Sequence, residues 1–198
     1  MLKIGITGGI GSGKTTICHI FETLGASVFY ADDVAKQIMV TDPVLVAGVK
    51  ETFGEESYQQ NGVLNNKYIA GIVFNDAAQL AKLNALVHPA VFRVFDIWVA
   101  QVPETCPYIL KEAALLFESG SYQMCDKNIL VTAPVEVRMA RVMARDQVTQ
   151  AQVKARMDKQ YTDEQKLKMA DFFIINDESS SVIEQVLSLH HQFLQIKD

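Results

Sequence analysis

The sequence predicts an α/β protein in which helices flank a parallel β-sheet. Two observations favour this fold class. Short apolar runs alternate with segments of helical periodicity along the 198 residues, and this alternation is typical of strand–helix–strand units. The first apolar run also leads directly into a glycine-rich stretch, Gly8 to Gly13, that precedes an amphipathic segment. A loop of this kind between a strand and a helix indicates an anion site at the edge of such a sheet.

Five strands are predicted in order along the chain. They cover residues 2–7, 27–31, 108–111, 128–132 and 172–175. Apolar residues from Ile17 to Leu24 recur at helical spacing, and Gly25 follows as a stop signal, so a helix is predicted after the glycine-rich loop. The same spacing predicts a final helix that begins at Val182 and continues past Phe193.

The stretch between the second and third strands is long, roughly 75 residues against the dozen or more of an ordinary crossover. Apolar residues at helical spacing before Val87 and after Val91 predict two helices, separated at His88–Pro89 because a residue before proline disfavours helix. We interpret about 62–104 as a helical insertion on the core domain. Such an insertion is a natural place for an acceptor substrate.

The composition is that of a globular chain and excludes several classes of protein. Hydrophobic residues are 49% and charged residues 21%, which excludes a mainly disordered chain. A net charge of −5 provides no overall basic field, so no nucleic-acid partner is predicted. The sequence shows no secretory signal and no run of 18 apolar residues, so no membrane partner is predicted. Three scattered cysteines without a CxxC pair favour free thiols and a cytoplasmic location.

The stretch from Gly8 to Thr15 matches G-x-x-x-x-G-K-[ST], the phosphate-binding loop, or P-loop. Its glycines let successive N–H groups face phosphate oxygens, and Lys14 adds a positive charge beside the β- and γ-phosphates. The Thr15 hydroxyl is a ligand for Mg²⁺. The sequence therefore predicts ATP or another nucleoside triphosphate together with Mg²⁺. The predicted phosphate contacts are Gly9, Gly11, Ser12, Gly13, Lys14, Thr15 and Thr16.

Carboxylates follow the second and third strands, where an open α/β sheet binds its ligand. Asp32 and Asp33 come after the second strand. One of them could accept a hydroxyl proton or order Mg²⁺-bound water, or it could merely cap a helix beginning near Val34. Glu112 closes the third strand and is either an acid that holds Mg²⁺ through water or a solvated strand-end carboxylate.

A basic segment extends from Arg138 to Lys168. Arg138, Arg141 and Arg145 are predicted to share one helix face, and the opposite face is predicted to carry Met139, Val142 and Met143. Two interpretations stay open at this point. The arginines either cover the transferring phosphoryl group or form an ordinary solvated face.

These features together resemble the dephospho-coenzyme A kinase family nearly end to end. The resemblance is carried by Ile4–Lys14, Ala31–Asp33, His88–Pro89, Leu115–Glu118, Arg141, Arg145–Asp146, Arg156, Gln160 and Ala170–Asn176. The chain departs from the family's usual residues at Glu112, Ala114, Asp177 and Arg138, and we carry no catalytic role over to Arg138.

The resemblance implies transfer of the γ-phosphoryl group of ATP to the ribose 3′-hydroxyl of dephospho-coenzyme A, the last step of coenzyme A synthesis. It implies a single P-loop kinase unit over 1–198 with a five-stranded parallel sheet, a helical acceptor-side insertion and a helical lid at about 138–168. Asp33 would act as the base or orient the hydroxyl, and Lys14 and Arg141 would neutralise the transition state. The remaining implied contacts are Arg145 at the lid, Asn176 near adenine, and His88, Leu115, Leu116 and Phe117 at the acceptor.

Two other functions remain open on the sequence alone. The chain could be another P-loop metabolite or nucleoside monophosphate kinase, which a panel of acceptors would distinguish. It could also be a non-enzymatic regulator that binds ATP without acceptor-dependent release of ADP. The sequence predicts no particular oligomeric state.

Overall fold

The structure is a computed structural model that describes residues 1–74 and 76–196. Asn75 of the predicted insertion, and Lys197 and Asp198 of the predicted unit over 1–198, lie outside the described residues. Five strands form one parallel sheet in the order β2-β3-β1-β4-β5. They are β1 (Lys3–Thr7), β2 (Ser27–Tyr30), β3 (Ile109–Glu112), β4 (Lys127–Thr132) and β5 (Phe172–Ile175). The predicted α/β class with a five-stranded parallel sheet is confirmed.

Nine helices are described besides two short 3₁₀ turns at Glu55–Ser57 and Ser121–Met124. The helices within residues 1–74 are α1 (Lys14–Thr23), α2 (Ala31–Thr41), α3 (Pro43–Phe53) and α4 (Asn66–Val73). Those within residues 76–196 are α5 (Ala77–Gln101), α6 (Val135–Asp146), α7 (Gln150–Met157), α8 (Asp163–Leu167) and α9 (Val182–Phe193).

Strand β1 lies at the centre of the sheet and pairs with β3 on one side and β4 on the other. Its residue Ile6 is in register with both Glu112 and Ile129, so the carboxyl ends of the three strands meet at one edge. The strands read as nearly continuous apolar runs because a parallel sheet is covered on both faces. Helices α1 and α9 cover one face and contribute Phe21 and Phe193 to the core.

The second strand is one residue shorter than predicted, because Ala31 begins α2 instead of ending β2. Asp32 and Asp33 therefore lie inside the first turn of α2, and the predicted helix start near Val34 is wrong. Alanine is the best helix former, and carboxylates in a first turn interact favourably with the helix dipole. Both effects extend the helix back to the end of the strand.

The prediction of two helices separated at His88–Pro89 is also wrong, since α5 is continuous through Pro89. A proline inside a helix removes one backbone hydrogen bond and costs about 3 kcal/mol. The turns after it bury Ala90, Val91 and Phe95, and burial of large apolar side chains at about 1.5–3 kcal/mol each offsets that cost. Among the described helices, α5 alone is long and apolar enough by length and composition to cross a membrane, a weak indication because core helices pass the same test.

The chain forms two compact units. The first consists of Met1–Tyr30 and Gln101–Asp198 and contains the sheet, and the second is Ala31–Ala100. In the second unit Asp42 caps α3 by accepting from the backbone of Val44 and Leu45, and Tyr58 donates its hydroxyl to Met39 O at 2.7 Å. The predicted insertion of about 62–104 overlaps this unit, which begins earlier because α2 and α3 pack together within it.

Candidate nucleotide-binding site

The glycine-rich loop joins β1 to α1 at the centre of the sheet edge. Gly11 and Gly13 have φ angles of 81° and 91°, in the left-handed region that glycine adopts without a steric penalty. A Cβ atom on Gly9 would collide with the guanidinium of Arg138, and one on Gly13 with the amide of Asn176. The loop is therefore a tight backbone cradle in front of the N-terminus of α1, an arrangement that favours anionic phosphate.

Lys14 is the first residue of α1 and points back over the loop. Its ammonium donates to Gly8 O at 3.2 Å and lies 3.8 Å from Glu112 Oε1. The two side chains are only 11% and 8% exposed, so Glu112 is a buried carboxylate and the alternative of a solvated strand-end carboxylate is wrong. This largely buried ammonium keeps its place over the loop, where phosphate oxygens would add to its present contacts.

The loop also contains groups that suit ATP and Mg²⁺. The Ser12 hydroxyl is buried and has no hydrogen-bond partner. Buried polar atoms are normally hydrogen-bonded, so this hydroxyl fits a site at which a ligand would be its partner. Thr15 and Thr16 follow it on the exposed first turn of α1. Among the residues that the structure describes, no three His, Cys, Asp or Glu side chains form a metal site. Hydroxyl and carboxylate oxygens, here of Thr15 and Glu112, are the ligands that Mg²⁺ prefers alongside phosphate.

Asn176 closes the other side of the loop. Its Nδ2 donates to Ser12 O at 2.8 Å, and its own Oδ1 and backbone oxygen accept from Arg141 Nη2 at 3.4 and 3.3 Å. Arg141 also pairs with Glu178 at 3.3 Å. The structure thus brings Asn176 and Arg141 together at the Gly13 side of the cradle.

Asp177, one of the positions at which the chain departs from the resemblance, belongs to the turn after β5. Its carboxylate accepts from the backbone of Ser180 and Ser179, and these hydrogen bonds lower the pKa of Asp177 to about 2. The left-handed residue of this turn is Glu178, with a φ of 71°. The Asp177 side chain is therefore engaged in shaping the turn, while Asn176 keeps its contact with the loop.

Arg145 does not join this group in the structure. Its side chain is 65% exposed and pairs with Asp146 at 2.7 Å, and Asp146 also accepts from Arg156 at 2.6 Å. Hydrogen bonds from Arg145 and Arg156 lower the pKa of Asp146 to about 2. These exposed ion pairs connect α6 to α7 at the predicted lid.

The environment of Arg138 differs most from the one predicted from the sequence. The prediction that Val142 lies opposite the arginine face is wrong, because Arg138 and Val142, four residues apart, are both buried residues of α6. The Arg138 guanidinium lies against Gly9 and pairs with Asp163 of α8 at 3.0 Å. An i, i+3, i+7 spacing places three side chains near one another on a helix, but it does not predict which of them is buried.

Two further side chains near the loop had no assigned role in the sequence interpretation. Lys166 is fully buried and pairs with Glu118 Oε1 at 3.1 Å. Burial lowers the pKa of Lys166, and Glu118 opposes that shift. Gln160 contacts the P-loop directly, since its Oε1 accepts from Ile10 N at 2.9 Å. The only available signal was that both Glu118 and Gln160 belong to motifs shared with the kinase family.

The predicted acceptor residues of the first unit have unequal exposure. Leu115 is 40% exposed, whereas Leu116 and Phe117 are 0% and 3% exposed. Phe117 packs edge-on against Tyr122 with ring centroids 5.6 Å apart. Of the three, Leu115 offers side-chain surface to a ligand, and the other two anchor the loop that carries it.

Asp33 and His88 belong to the second unit. The Asp33 carboxylate is 74% exposed and pairs with Lys36, one turn further along α2, at 2.8 Å. His88 is half-buried on α5 and stacks on Phe92 with ring centroids 6.3 Å apart. Burial lowers the pKa of His88, so its imidazole is mainly neutral at pH 7.

Comparison with known proteins relates this architecture to one family. The family model described as dephospho-CoA kinase matches residues 2–182. A dephospho-CoA kinase of Salinibacter ruber is 42% identical over 178 residues, which are 89% of this chain and 89% of that protein.

Solved structures agree. The crystal structure of TT1252 from Thermus thermophilus has a TM-score of 0.86 and 32% identity, with 98% of both chains covered. The dephospho-CoA kinase from Campylobacter jejuni has a TM-score of 0.66 and 27% identity, covering 96% of this chain and 95% of its own. The likeness therefore extends over nearly the whole of each chain.

Proposed function

The chain belongs to the dephospho-CoA kinase family, whose members catalyse the last step of coenzyme A biosynthesis, and we propose how its residues carry out that reaction. It is an enzyme that transfers a phosphoryl group from ATP to dephospho-CoA. The observation that carries the proposal is the largely buried Lys14 ammonium, which contacts Gly8 O and Glu112 and belongs to the same loop as the unpartnered Ser12 hydroxyl. The phosphates of a nucleoside triphosphate would accept hydrogen bonds from the Lys14 ammonium and the Ser12 hydroxyl, which are both donors.

ATP lies along the glycine-rich loop in this proposal. The backbone of Gly9, Gly11 and Gly13, the hydroxyl of Ser12 and the first turn of α1 with Thr15 and Thr16 surround the phosphates. Asn176 lies near the adenine, while Arg141, which donates to Asn176, serves the transferring phosphoryl group. Arg141 already has one guanidinium nitrogen, Nη1, that is buried without a partner, and a ligand group at this point would satisfy it.

Mg²⁺, when bound, neutralises charge between the β- and γ-phosphates. Thr15 would hold it directly, and Glu112 would hold it through water. Glu112 fits this role because it is buried at the carboxyl end of β3, in register with Ile6 at the end of β1. Its contact with Lys14 also keeps that ammonium over the loop.

The transfer itself is a displacement at phosphorus. The ribose 3′-oxygen of dephospho-CoA forms a bond to the γ-phosphorus, the bond to the β–γ bridging oxygen breaks, and ADP leaves. The hydroxyl proton passes to the carboxylate of Asp33, whose exposure leaves it open to an acceptor. Lys14 and Arg141 offset the charge of the transition state. Asp33 could instead act through Mg²⁺, and Asp32 is the alternative base.

The acceptor contacts are His88 and Leu115. Leu116 and Phe117 support Leu115 from inside the protein. The helical insertion of about 62–104 provides the acceptor side and the segment of about 138–168 the lid, with Arg145 approaching the nucleotide when its exposed pair with Asp146 opens. A lid of this kind excludes water from the transferring group.

We also infer that the protein works in the cytoplasm, with a small-molecule substrate and with neither a nucleic-acid nor a membrane partner. All three cysteines are free thiols, as expected in a reducing compartment. Burial raises the pKa of the Cys18 thiol, so this cysteine stays protonated and unreactive.

An acceptor panel tests the proposal against the rival functions. ADP release from ATP would be followed with dephospho-CoA, with nucleoside monophosphates, with shikimate and without acceptor. We expect ADP release with dephospho-CoA and a product phosphorylated at the ribose 3′-oxygen. Preferential turnover of another alcohol, or ATP binding with no acceptor-dependent ADP release, would overturn it.

A further inference from the structure

Gln160 connects two loops at the carboxyl edge of the sheet. Its Oε1 accepts from the backbone N–H of Ile10 in the P-loop at 2.9 Å, and its Nε2 donates to Ala114 O at 3.3 Å. Ala114 lies just after β3 and just before Leu115. One amide group therefore satisfies a donor of the P-loop and an acceptor of the loop that carries Leu115.

The segment around Gln160 is itself held firmly. The backbone N–H of Tyr161, the next residue, donates to Glu118 Oε1 at 2.8 Å, and the buried Lys166 pairs with the same oxygen. Asp163 receives the buried Arg138 guanidinium. We call residues 160–166 the anchor segment, because two ion pairs and a backbone hydrogen bond fix it to the first unit.

A P-loop binds phosphate through the direction of its backbone N–H groups. The N–H of Ile10 points at Gln160, so this bond sets the orientation of the peptide between Gly9 and Ile10. Ser12 N donates to Gly9 O at 3.0 Å across the following turn, which passes that orientation on to the rest of the loop. A small displacement of such groups is enough to reduce catalysis substantially.

We propose that Gln160 is a positioning residue that sets the P-loop for the β- and γ-phosphates and links it to the loop after β3. The proposal rests on the proposed function in one respect, namely that the P-loop holds ATP. With residues 160–166 fixed in this way, the predicted lid consists of two parts. The anchor segment is a fixed base, and closure is confined to the part of the lid before it, around α7 and its exposed ion pairs.

The test uses two variants of the full chain. Gln160→Met keeps the side-chain length and removes both hydrogen bonds. Gln160→Glu keeps the acceptor for Ile10 N–H but places an oxygen against Ala114 O, and on protonation it regains a donor in the same place. Gln195→Met is the matched control, since Gln195 is exposed at the end of the chain.

We expect kcat/KM for ATP to fall roughly 10- to 100-fold in Gln160→Met, the range typical of residues that orient a binding group. Affinity for ADP should fall by a similar factor, while affinity for adenosine should stay within about twofold because adenosine does not reach the P-loop. In Gln160→Glu, kcat/KM relative to the parent should rise as the pH falls toward the ordinary glutamic acid pKa of about 4.3.

Equal loss of ADP and adenosine affinity would mean a general structural defect and would overturn the proposal. So would parental ADP affinity in Gln160→Met. If that variant fails to fold, a flat pH ratio in Gln160→Glu overturns it on its own. Failure of the parent to phosphorylate dephospho-CoA would instead refute the proposed function, and the ADP-against-adenosine comparison would still decide the role of Gln160.

Discussion

The ion pairs beside the phosphate loop and the ion pair of the candidate base are held in contrasting ways. In the unit with the sheet, Lys14 pairs with Glu112 and Lys166 with Glu118, and all four side chains are at most 13% exposed. In the second unit the candidate base, Asp33, pairs with Lys36 while the two side chains are 74% and 77% exposed. The cations near the phosphate loop are therefore held by burial, whereas the candidate base is held by an exposed pair.

The phosphate-donor side is therefore built on largely buried ion pairs. Buried ions keep fixed positions because leaving their partners costs several kcal/mol, whereas an exposed ion pair contributes about 0–1 kcal/mol and exchanges freely with water. The donor side thus relies on charges whose positions are fixed by burial. The exposed Asp33 carboxylate has no such fixed surroundings and relies on the acceptor to provide its contacts.

The largest effect is expected for Lys14→Ala. It removes the ammonium from the transferring phosphates, and we expect kcat/KM to fall about 10³-fold or more, the scale seen when a group that stabilises phosphoryl transfer is lost. The fold should persist, since Lys14 contacts the loop and not the apolar core. Steady-state kinetics combined with a thermal melt checks this, and near-parental turnover would refute the P-loop assignment.

A comparably large effect on stability is expected for Lys166→Met. This variant leaves the largely buried Glu118 carboxylate without its fully buried cation, and we expect the free energy of unfolding to fall by about 3–5 kcal/mol. The double variant Lys166→Met with Glu118→Gln should recover most of that loss, because it removes both charges. Chemical denaturation measures both. A loss below about 1 kcal/mol in the single variant would mean that this pair behaves like a surface pair.

Asp33→Asn should lower kcat roughly 10²-fold, within the usual contribution of general-base assistance. The substitution keeps the size of the side chain and its hydrogen bonding but removes its charge and basicity. Because the carboxylate is exposed, the thermal stability should hardly change. A kcat within a few-fold of the parent would transfer the role to Asp32 or to the lid.

The smallest effect is expected for Lys36→Met, the surface counterpart of Lys166→Met. Its pair with Asp33 is exposed, so the free energy of unfolding should change by less than about 1 kcal/mol. The same denaturation experiment provides the measurement. A loss as large as that of Lys166→Met would show that the exposed Asp33–Lys36 pair contributes as much to stability as the Glu118–Lys166 pair.

Much of the fold could be predicted from the sequence because its signals are local. The β5 strand was predicted with its observed bounds, and the other strands within a residue at each end, since buried parallel strands are short apolar runs. The continuity of α5 through Pro89 could not be predicted, because the burial that sustains the helix comes from packing. A proline signal alone favours a break.

The site was predictable where the motif is contiguous and not where partners lie far apart. Lys14 and the glycines follow from one stretch of sequence. The pairs Arg138–Asp163 and Glu118–Lys166 join residues separated by 25 and 48 positions, and no periodicity reports such a contact. Gln160 is 150 residues from its partner Ile10. Its role is visible only once the chain has folded.

Direct titration of ATP on Asp33→Asn shows whether nucleotide binding needs Asp33. We expect the donor site to be complete within the unit that contains the sheet and to need nothing from Asp33. We predict a dissociation constant for ATP within about twofold of the parent, against a clear weakening in Lys14→Ala, whose ammonium contacts the phosphates. Loss of ATP affinity in Asp33→Asn would contradict this expectation, because Asp33 would then act on the nucleotide through Mg²⁺ and not as the base for the acceptor.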